Sequence, residues 1–336
     1  MIRVGLIGVG FMGGMHAACY QALESLGVKV TAVADVIAER REKMQKQLGA
    51  AGYASGMELI EQADVDVVDI CLPTDLHTAH AVAAMKKGRS VFCEKPVCTH
   101  EAEMRLLLDT KAETGANVMV GQVIRLWPEY AWLKGVVESG EYGRVQNAEF
   151  MRLSARPEWA SENWLHNPLR SGGVAVDMHI HDVDFVRYLL GDPDEVKSGA
   201  YRDANGVIQQ IHSVFTYGKN VAVAVEAGWD YPASYPFTAR YRVRLERAAV
   251  VLDADGLTVY PNEGEPFHPT LEPAFEAEND IGGNVSSLGG YYNELKYFIE
   301  GLQGKNDLSV ASLEEAIASV RLVKRELVSV GGLVVL

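Results

Sequence analysis

The first third of the sequence alternates short apolar runs with longer segments of helical periodicity. The apolar runs lie at Ile2–Ile7, Val28–Ala34, Asp66–Leu72, Ser90–Glu94 and Asn117–Gly121. Strands that alternate with helices of about 10–15 residues form right-handed βαβ units and therefore a parallel sheet. The runs are predominantly apolar, which is typical of strands that helices cover on both faces. Residues 1–121 are thus predicted to form a doubly wound parallel sheet of the α/β class.

The pattern changes after residue 121, where β-type segments become longer and lie closer together. These segments are Val145–Ser154, Gln209–Tyr217, Val221–Trp229, Tyr241–Leu252 and Leu257–Tyr260. Helical segments precede and follow them, and no internal repeat interrupts the order. Residues 122–336 are therefore predicted to form an α+β domain whose sheet is large and mostly antiparallel, with helices on one face.

Charge excludes two classes of partner. The 336 residues carry 45 acidic and 31 basic side chains, a formal net charge of −14. Such a chain lacks the basic footprint of a nucleic-acid-binding protein and is repelled by anionic membranes. It also lacks an apolar stretch of the roughly 20 residues that span a bilayer. We therefore expect a cytoplasmic protein that binds neither nucleic acid nor membranes. The spacing of its four cysteines does not indicate a metal site.

A glycine-rich motif follows the first predicted strand and opens the next helix. It reads Gly8-Val9-Gly10-Phe11-Met12-Gly13 and matches G-x-G-x-x-G. In this pattern Gly8 permits a tight turn, Gly10 lets the backbone approach a pyrophosphate, and Gly13 allows close packing of helix and strand. The loop, with Phe11 and Met12 inside it, is therefore predicted to bind a dinucleotide.

An acidic residue at the end of the second strand supports this interpretation. Asp35 follows Gly13 by 22 residues, close to the roughly 20 expected for a carboxylate that binds the adenosine ribose. A carboxylate at this place repels the 2′-phosphate of NADP, so NAD is favoured over NADP. Arg40 and Arg41 on the following helix weaken that preference only slightly.

Two further segments carry candidate chemical groups. Glu94-Lys95-Pro96 ends a predicted strand, and ligands of open α/β sheets bind beyond the carboxyl ends of strands. In the segment that begins at Gly172, Asp177 and His181 are four residues apart and share one face of a predicted helix. A carboxylate beside an imidazole suits a proton relay. A metal site using His179 and His181 is disfavoured, because residues two apart on a helix diverge.

These motifs together resemble the Gfo/Idh/MocA oxidoreductases, the group that contains glucose–fructose oxidoreductase and inositol 2-dehydrogenase. The resemblance covers nearly the whole chain. Its remaining motifs are Pro73-Thr74-Asp75-Leu76-His77, Arg125-Leu126-Trp127-Pro128, Ser139-Gly140-Glu141-Tyr142-Gly143 and Tyr292-Asn293-Glu294-Leu295.

The resemblance implies roles for these residues. Lys95, Asp177 and His181 would be the catalytic residues, and the Lys95–Pro96 peptide bond would be cis. Contacts with the cofactor are implied for Pro73, Thr74, His77, Glu94 and Lys95. The open face of the C-terminal sheet would join copies of the chain into a homodimer or homotetramer. The candidate residues for contact with substrate are Arg125, Arg156, Trp164 and His166.

The expected reaction is hydride transfer between NAD and a secondary alcohol of a cyclic polyol or sugar. His181 would take the hydroxyl proton, and Lys95 would stabilise the developing alkoxide. Two alternatives come from the same resemblance. One is an NAD-dependent glycoside hydrolase, which would cleave aryl glycosides without net formation of NADH. The other is a regulator that senses the cofactor without catalysis.

Overall fold

A computed structural model of the chain describes residues 1–158, 161–271 and 288–331. Their contacts divide the described residues into two units. The first unit comprises residues 1–126 and 288–317, and the second comprises residues 127–271 and 318–331. Among the described residues, no helix has the length and apolar character needed to cross a membrane.

Six parallel strands form the sheet of the first unit as far as the chain is described. They are β1 (Ile2–Ile7), β2 (Val28–Ala34), β3 (Ala51–Tyr53), β4 (Val67–Ile70), β5 (Ser90–Glu94) and β6 (Val118–Gly121). Their order across the sheet is β3-β2-β1-β4-β5-β6, and all neighbouring strands are parallel. This order reverses between β1 and β4, the place where such sheets bind ligands. The predicted α/β class is confirmed.

The sequence did not predict β3, which lies at the edge of this sheet. It is three residues long, and its Ala51 and Gly52 are exposed, so no apolar run marks it. The helices of the first 126 residues are α1 (Phe11–Ala22), α2 (Ala38–Leu48), α3 (Gly56–Gln62), α4 (His77–Lys86) and α5 (Glu101–Thr114). Helix α1 begins directly after the glycine motif, with Gly10 as its N-cap residue.

The second unit holds a seven-stranded sheet in its described part. The strands are β7 (Val145–Ala155), β8 (Glu195–Arg202), β9 (Ile208–Tyr217), β10 (Val221–Tyr231), β11 (Thr238–Leu245), β12 (Ala248–Asp253) and β13 (Gly256–Pro261). Their order is β13-β12-β11-β7-β10-β9-β8. The central pair β7 and β10 is parallel, whereas the other pairs are antiparallel. The predicted mostly antiparallel sheet is confirmed.

One predicted strand of this sheet was wrong. The segment Tyr241–Leu252 was expected to be a single strand, but the chain turns back at Glu246 and Arg247, and Arg244 pairs with Ala249 across the resulting hairpin. No glycine, asparagine or proline marks this turn, and polar and apolar residues alternate from Arg242 to Glu246, so the pattern did not show where the strand ends.

The remaining helices are α6 (Pro128–Ser139), α7 (Pro168–Ser171), α8 (Ile180–Leu190), α9 (Gly289–Leu302) and α10 (Leu313–Ser329). Helix α9 packs into the core of the first unit, where Phe298 lies against Phe92 with ring centroids 5.4 Å apart. Residues 122–336 were predicted as one domain. The contacts instead assign α9 to the first unit, because its apolar face completes that core beside α1.

Candidate active site

The glycine motif forms a loop in which side chains are excluded at two positions. Gly8 has a φ of +83°, and a Cβ atom there would lie 2.4 Å from the carbonyl oxygen of Cys71. A Cβ atom on Gly13 would lie 2.0 Å from the carbonyl oxygen of Gly8. At Gly10 the nearest atom to an added Cβ is 3.6 Å away, on Arg40. The loop is therefore tight beneath and open above Gly10, which fits the close approach of a pyrophosphate.

Replacing these glycines with alanine is expected to separate cofactor binding from stability. Gly10→Ala places a methyl group in the open space above the loop and should weaken NAD binding by about tenfold or more. Gly13→Ala forces a methyl group against the Gly8 carbonyl and should lower the free energy of unfolding by about 1–3 kcal/mol. Calorimetric titration with NAD and urea unfolding measure the two effects. Unchanged NAD affinity in Gly10→Ala would contradict the assignment of the loop.

Asp35 lies beside the same loop. Its Oδ2 atom accepts a hydrogen bond from the backbone N–H of Val9 at 3.0 Å, and its Oδ1 atom accepts one from Ile37 at 2.8 Å. Arg41 donates from Nη1 to the carbonyl oxygen of Asp35 at 2.8 Å. These bonds fix the carboxylate next to the glycine loop and leave it lone pairs for ribose hydroxyl groups. The arrangement fits the dinucleotide predicted from the motif.

The segment after β4 contains a second group that fits a ligand. The Oγ1 atom of Thr74 is buried and has no hydrogen-bond partner among the described residues. A buried hydroxyl group without a hydrogen bond lowers the stability of the folded protein. A polar group of a bound cofactor could supply this hydrogen bond. Thr74 follows Pro73 at the start of a short 3₁₀ turn.

His77 braces this segment against the loop after β5. Its Nδ1 atom lies 2.8 Å from the carbonyl oxygen of Pro96, and its Nε2 atom lies 2.7 Å from that of Leu72. Burial lowers the pKa of His77 although both carbonyl oxygens oppose this effect. Because the ring is only 1% exposed, the structure gives His77 a bracing role, and its contact with the cofactor stays a prediction.

Lys95 stands at the carboxyl end of β5. Its side chain is half-buried, its backbone N–H donates to Oε2 of Glu94 at 3.1 Å, and the Lys95–Pro96 peptide bond is cis. Glu94 is buried, and a Cβ atom on Gly121 of the neighbouring strand would lie 3.3 Å from its carboxylate. The peptide that carries Lys95 is thus held by the carboxylate that precedes it.

In the second unit, Asp177 and His181 are set apart by their exposure. Every other residue from 173 to 186 is buried, whereas these two side chains are partly exposed. Asp177 lies in a π-helical turn, Ala175–His179, that leads directly into α8, where His181 is the second residue. Turns of this kind are rare and concentrate at functional sites. The sequence predicted a helix here, and the π-helical turn is a feature that spacing alone did not reveal.

Buried ion pairs hold this helix in its unit. Arg152 of β7 donates from Nε and Nη2 to the two carboxylate oxygens of Asp182, at 2.9 and 3.1 Å. Burial disfavours the charge on Arg152, but the Asp182 carboxylate outweighs burial and raises the pKa of the guanidinium. Asp182 directly follows His181, so the pair anchors the helix next to the candidate base. Sequence reasoning missed Arg152, whose only signal was a cation inside an apolar strand.

His179 faces away from the candidate base. Its Nε2 atom lies 2.9 Å from Oε1 of Glu326 on α10, and both side chains are fully buried. Two groups of potential metal ligands occur within the described residues, and neither includes His179 or His181. The structure therefore gives no support to a metal site built on this pair of histidines.

The four predicted substrate residues occupy different surroundings. The guanidinium of Arg125 is buried in the first unit, where Nη1 donates to the carbonyl oxygen of Val310 at 2.7 Å. In the second unit His166 is half-buried, with Nε2 2.8 Å from the carbonyl oxygen of Pro157. Trp164 is half-buried and Arg156 is exposed. The bond to Val310 gives Arg125 a structural role, and contact of all four residues with substrate stays a prediction.

Two family profiles match the sequence. Residues 2–122 match a profile described as oxidoreductase family, NAD-binding Rossmann fold. Residues 130–251 match the GFO/IDH/MocA C-terminal domain. The two matches together cover most of the chain, and the first of them makes the N-terminal fold an NAD-binding Rossmann domain.

Curated relatives and solved structures resemble the chain at moderate to low identity. Inositol 2-dehydrogenase of Rhizobium meliloti is 32% identical over 196 residues, 57% of this chain and 56% of the relative. The chain thus matches little more than half the length of that relative. The scyllo-inositol 2-dehydrogenase (NAD(+)) of Bacillus subtilis is 29% identical over 248 residues, 71% of this chain and 70% of the relative.

Two solved structures share the fold over nearly the whole chain. An oxidoreductase of Agrobacterium radiobacter in complex with NAD+, L-tartaric acid and magnesium has a TM-score of 0.82 at 17% identity, covering 98% of this chain and 96% of that one. UDP-N-acetylglucosamine 3-dehydrogenase of Acidithiobacillus ferrooxidans has a TM-score of 0.78 at 21% identity, covering 98% and 97%. At these identities the likeness shows the fold.

Proposed function

The chain belongs to the Gfo/Idh/MocA family of oxidoreductases, and we propose that it is an NAD-dependent dehydrogenase acting on a secondary alcohol of a cyclic polyol or sugar. The observation that carries this proposal is the exposure of Asp177 and His181 alone within an otherwise buried helical segment. A partly exposed imidazole with a carboxylate four residues before it supplies the base that alcohol oxidation requires. The relatives named as inositol dehydrogenases support the substrate class.

The residues of the first unit would hold the cofactor. The backbone of the glycine loop and the start of α1 would bind the pyrophosphate, Asp35 the ribose, and Thr74 a further polar group. When bound, NAD supplies the acceptor for the hydride that leaves the carbinol carbon.

Protein groups carry the proton and stabilise the charge. His181 removes the proton from the substrate hydroxyl, and Asp177 orients the imidazole and stabilises its protonated form. Lys95 stabilises the negative charge that develops on the alcohol oxygen. In the reverse direction the same imidazole returns the proton to the carbonyl oxygen.

A substrate panel tests the proposal. Purified protein with NAD should form NADH with at least one inositol isomer, pyranose sugar or sugar derivative, and should leave acyclic primary alcohols unreacted. Cleavage of an aryl glycoside without net NADH would instead indicate a glycoside hydrolase. Binding of NAD without turnover of any panel member would indicate a regulator. Either outcome would overturn the proposed dehydrogenase.

We also propose that copies of the chain associate through the outward face of the seven-stranded sheet. In the middle of β9, Val214 is 43% exposed on this face, beside a depression lined by residues of β8 and β10. This face is open, and most soluble oligomers are assemblies of identical copies with closed symmetry. Light scattering should report a dimer or tetramer, and a monomer at micromolar concentration would contradict this assignment.

A further inference from the structure

A cluster of polar side chains is buried in the first unit, directly behind the strand end that carries Lys95. Four of its members, His16, Asp69, Glu94 and Glu294, are each less than a tenth exposed. They come from α1, β4, β5 and α9, so elements distant in sequence converge on one place. Glu294 belongs to the motif Tyr292-Asn293-Glu294-Leu295, for which the proposed reaction gives no role.

His16 lies between two carboxylates. Its Nδ1 atom is 2.9 and 3.1 Å from the two carboxylate oxygens of Asp69, and its Nε2 atom is 3.0 Å from Oε1 of Glu94. Ionised carboxylates only accept hydrogen bonds, so both ring nitrogens must donate and the ring is an imidazolium. Burial opposes that charge, but the Asp69 carboxylate outweighs it and raises the pKa of His16 well above its usual value.

Glu294, unlike His16, is buried without hydrogen bonds to its side chain among the described residues. Both of its carboxylate oxygens are buried, and neither has a hydrogen-bond partner in the described part of the chain. One of them lies within 4.8 Å of both a ring nitrogen of His16 and a carboxylate oxygen of Glu94. Burial, followed by the negative charge of Glu94, raises the pKa of Glu294 well above its usual value. A buried carboxylate without a hydrogen bond, next to a second carboxylate, would be very unfavourable, and this favours the protonated form of Glu294.

Glu94 accepts hydrogen bonds on both of its carboxylate oxygens. His16 donates to Oε1 of Glu94, while Oε2 of Glu94 accepts the backbone N–H of Lys95. Burial favours protonation of Glu94, yet the bond from His16 keeps the pKa of this carboxyl below its usual value. Of the two neighbouring glutamates, Glu94 is therefore the one that bears the charge.

Other titratable groups surround the cluster. They are Cys19 and Tyr20 on α1, Cys71 after β4, His77 on α4, Cys93 on β5 and Lys95 directly after β5.

We propose that His16 is a positioning residue, which fixes Glu94 and through it the peptide that carries Lys95, and that Glu294 beside them is protonated, so that the charge stays on Glu94. The proposal rests on the proposed function for the part that concerns catalysis. The separations of 2.9–3.1 Å between ring nitrogens and carboxylate oxygens are those of direct hydrogen bonds. Hydrogen bonds therefore join His16 to Asp69 and to Glu94, and a bound divalent metal is an outcome that the tests below can reveal.

The proton on Glu294 can be tested without any substrate. Above the ordinary pKa of a glutamate, the unfolded chain releases this proton whereas the folded chain keeps it, so raising the pH favours unfolding of the wild type. Glu294→Gln has no such proton. Relative to the wild type, its unfolding equilibrium constant should therefore fall by up to about tenfold per pH unit between roughly pH 5 and 8. The proton on His16 acts equally in both proteins and cancels in the difference.

Urea unfolding at several pH values measures this difference. Glu113→Gln is the matched control, because Glu113 is exposed on α5 of the same unit, and its difference from the wild type should not change with pH. A flat difference for Glu294→Gln, or one that reverses with pH, would overturn the proposal. So would one equivalent of a divalent metal in the purified wild type that is lost in Glu294→Gln.

Two substitutions of His16 test the positioning. Glutamine places an amide N–H where Nε2 was and keeps the bond to Glu94, whereas asparagine places one where Nδ1 was and keeps only the bond to Asp69. Both remove the charge. If His16 acts through Glu94, kcat should fall about tenfold further in His16→Asn than in His16→Gln, with the KM for NAD similar in the two.

Equal kcat values in the two variants would overturn the positioning role, since a purely structural histidine offers no reason for a difference between them. If either variant fails to fold, the urea experiment on Glu294→Gln still decides whether Glu294 keeps its proton, and a flat result there overturns the proposal. If no panel substrate is turned over by the wild type, the proposed function fails, while the pH dependence of stability still shows which glutamate carries the proton.

Discussion

Replacing Lys95 with methionine is expected to lower kcat for the best substrate by about 10²–10³-fold while the Kd for NAD changes by less than about threefold. Methionine keeps the apolar stem of the side chain and removes the ammonium group. The charge that Lys95 stabilises exists only as the alcohol loses its proton. The loss should therefore appear in kcat, with little change in substrate binding.

Lys86→Met is a matched control, because Lys86 ends α4 in the same unit and its side chain is exposed. Both variants remove one positive charge from an acidic chain, so they share any general electrostatic effect on an anionic cofactor. Steady-state kinetics and calorimetric titration with NAD separate the two parameters. If Lys95→Met keeps kcat within about threefold of the wild type, Lys95 has no part in the chemical step.

The sequence predicted best those strands whose buried positions form a recognisable run of apolar residues. The ends of β1, β2 and β5 were predicted correctly, because most residues of these strands are apolar and buried. Strand β3 contains no such apolar run, since two of its three residues are exposed. The hairpin between β11 and β12 was missed for a related reason. The alternation of polar and apolar residues in β11 continues as far as Glu246, the first residue of the turn.

In the candidate site, too, the sequence predicts features that depend on local position and misses those that depend on residues far apart in the chain. The places of the glycine loop, Asp35 and Lys95 at the ends of strands could be predicted, because each follows a strand directly and position along the chain then gives position in the sheet. The role of Arg125 could not, since its partner Val310 is 185 residues away. The cluster of His16, Asp69, Glu94 and Glu294 joins four elements, and only the folded chain shows which of its carboxyl groups keeps a proton.

Replacing His181 with alanine is expected to lower kcat by about 10²–10⁴-fold, because the variant lacks the base that removes the hydroxyl proton. The side chain projects from a helix that is otherwise buried between residues 173 and 186, apart from Asp177. Arg152 and Asp182 anchor the adjacent backbone through two hydrogen bonds. The truncation should therefore leave a cavity on an intact helix, and free imidazole added to the assay should restore part of the lost activity.

Asp177→Asn distinguishes the proton carrier from the residue that orients it. This variant keeps the imidazole of His181 but removes the carboxylate that stabilises its protonated form, so kcat should fall without recovery on addition of imidazole. His268→Ala is the control, since His268 is exposed elsewhere in the same unit, and it should behave as the wild type. Recovery of Asp177→Asn by imidazole to the same extent as His181→Ala would contradict these roles, because free imidazole can replace a missing base but cannot orient one that is present.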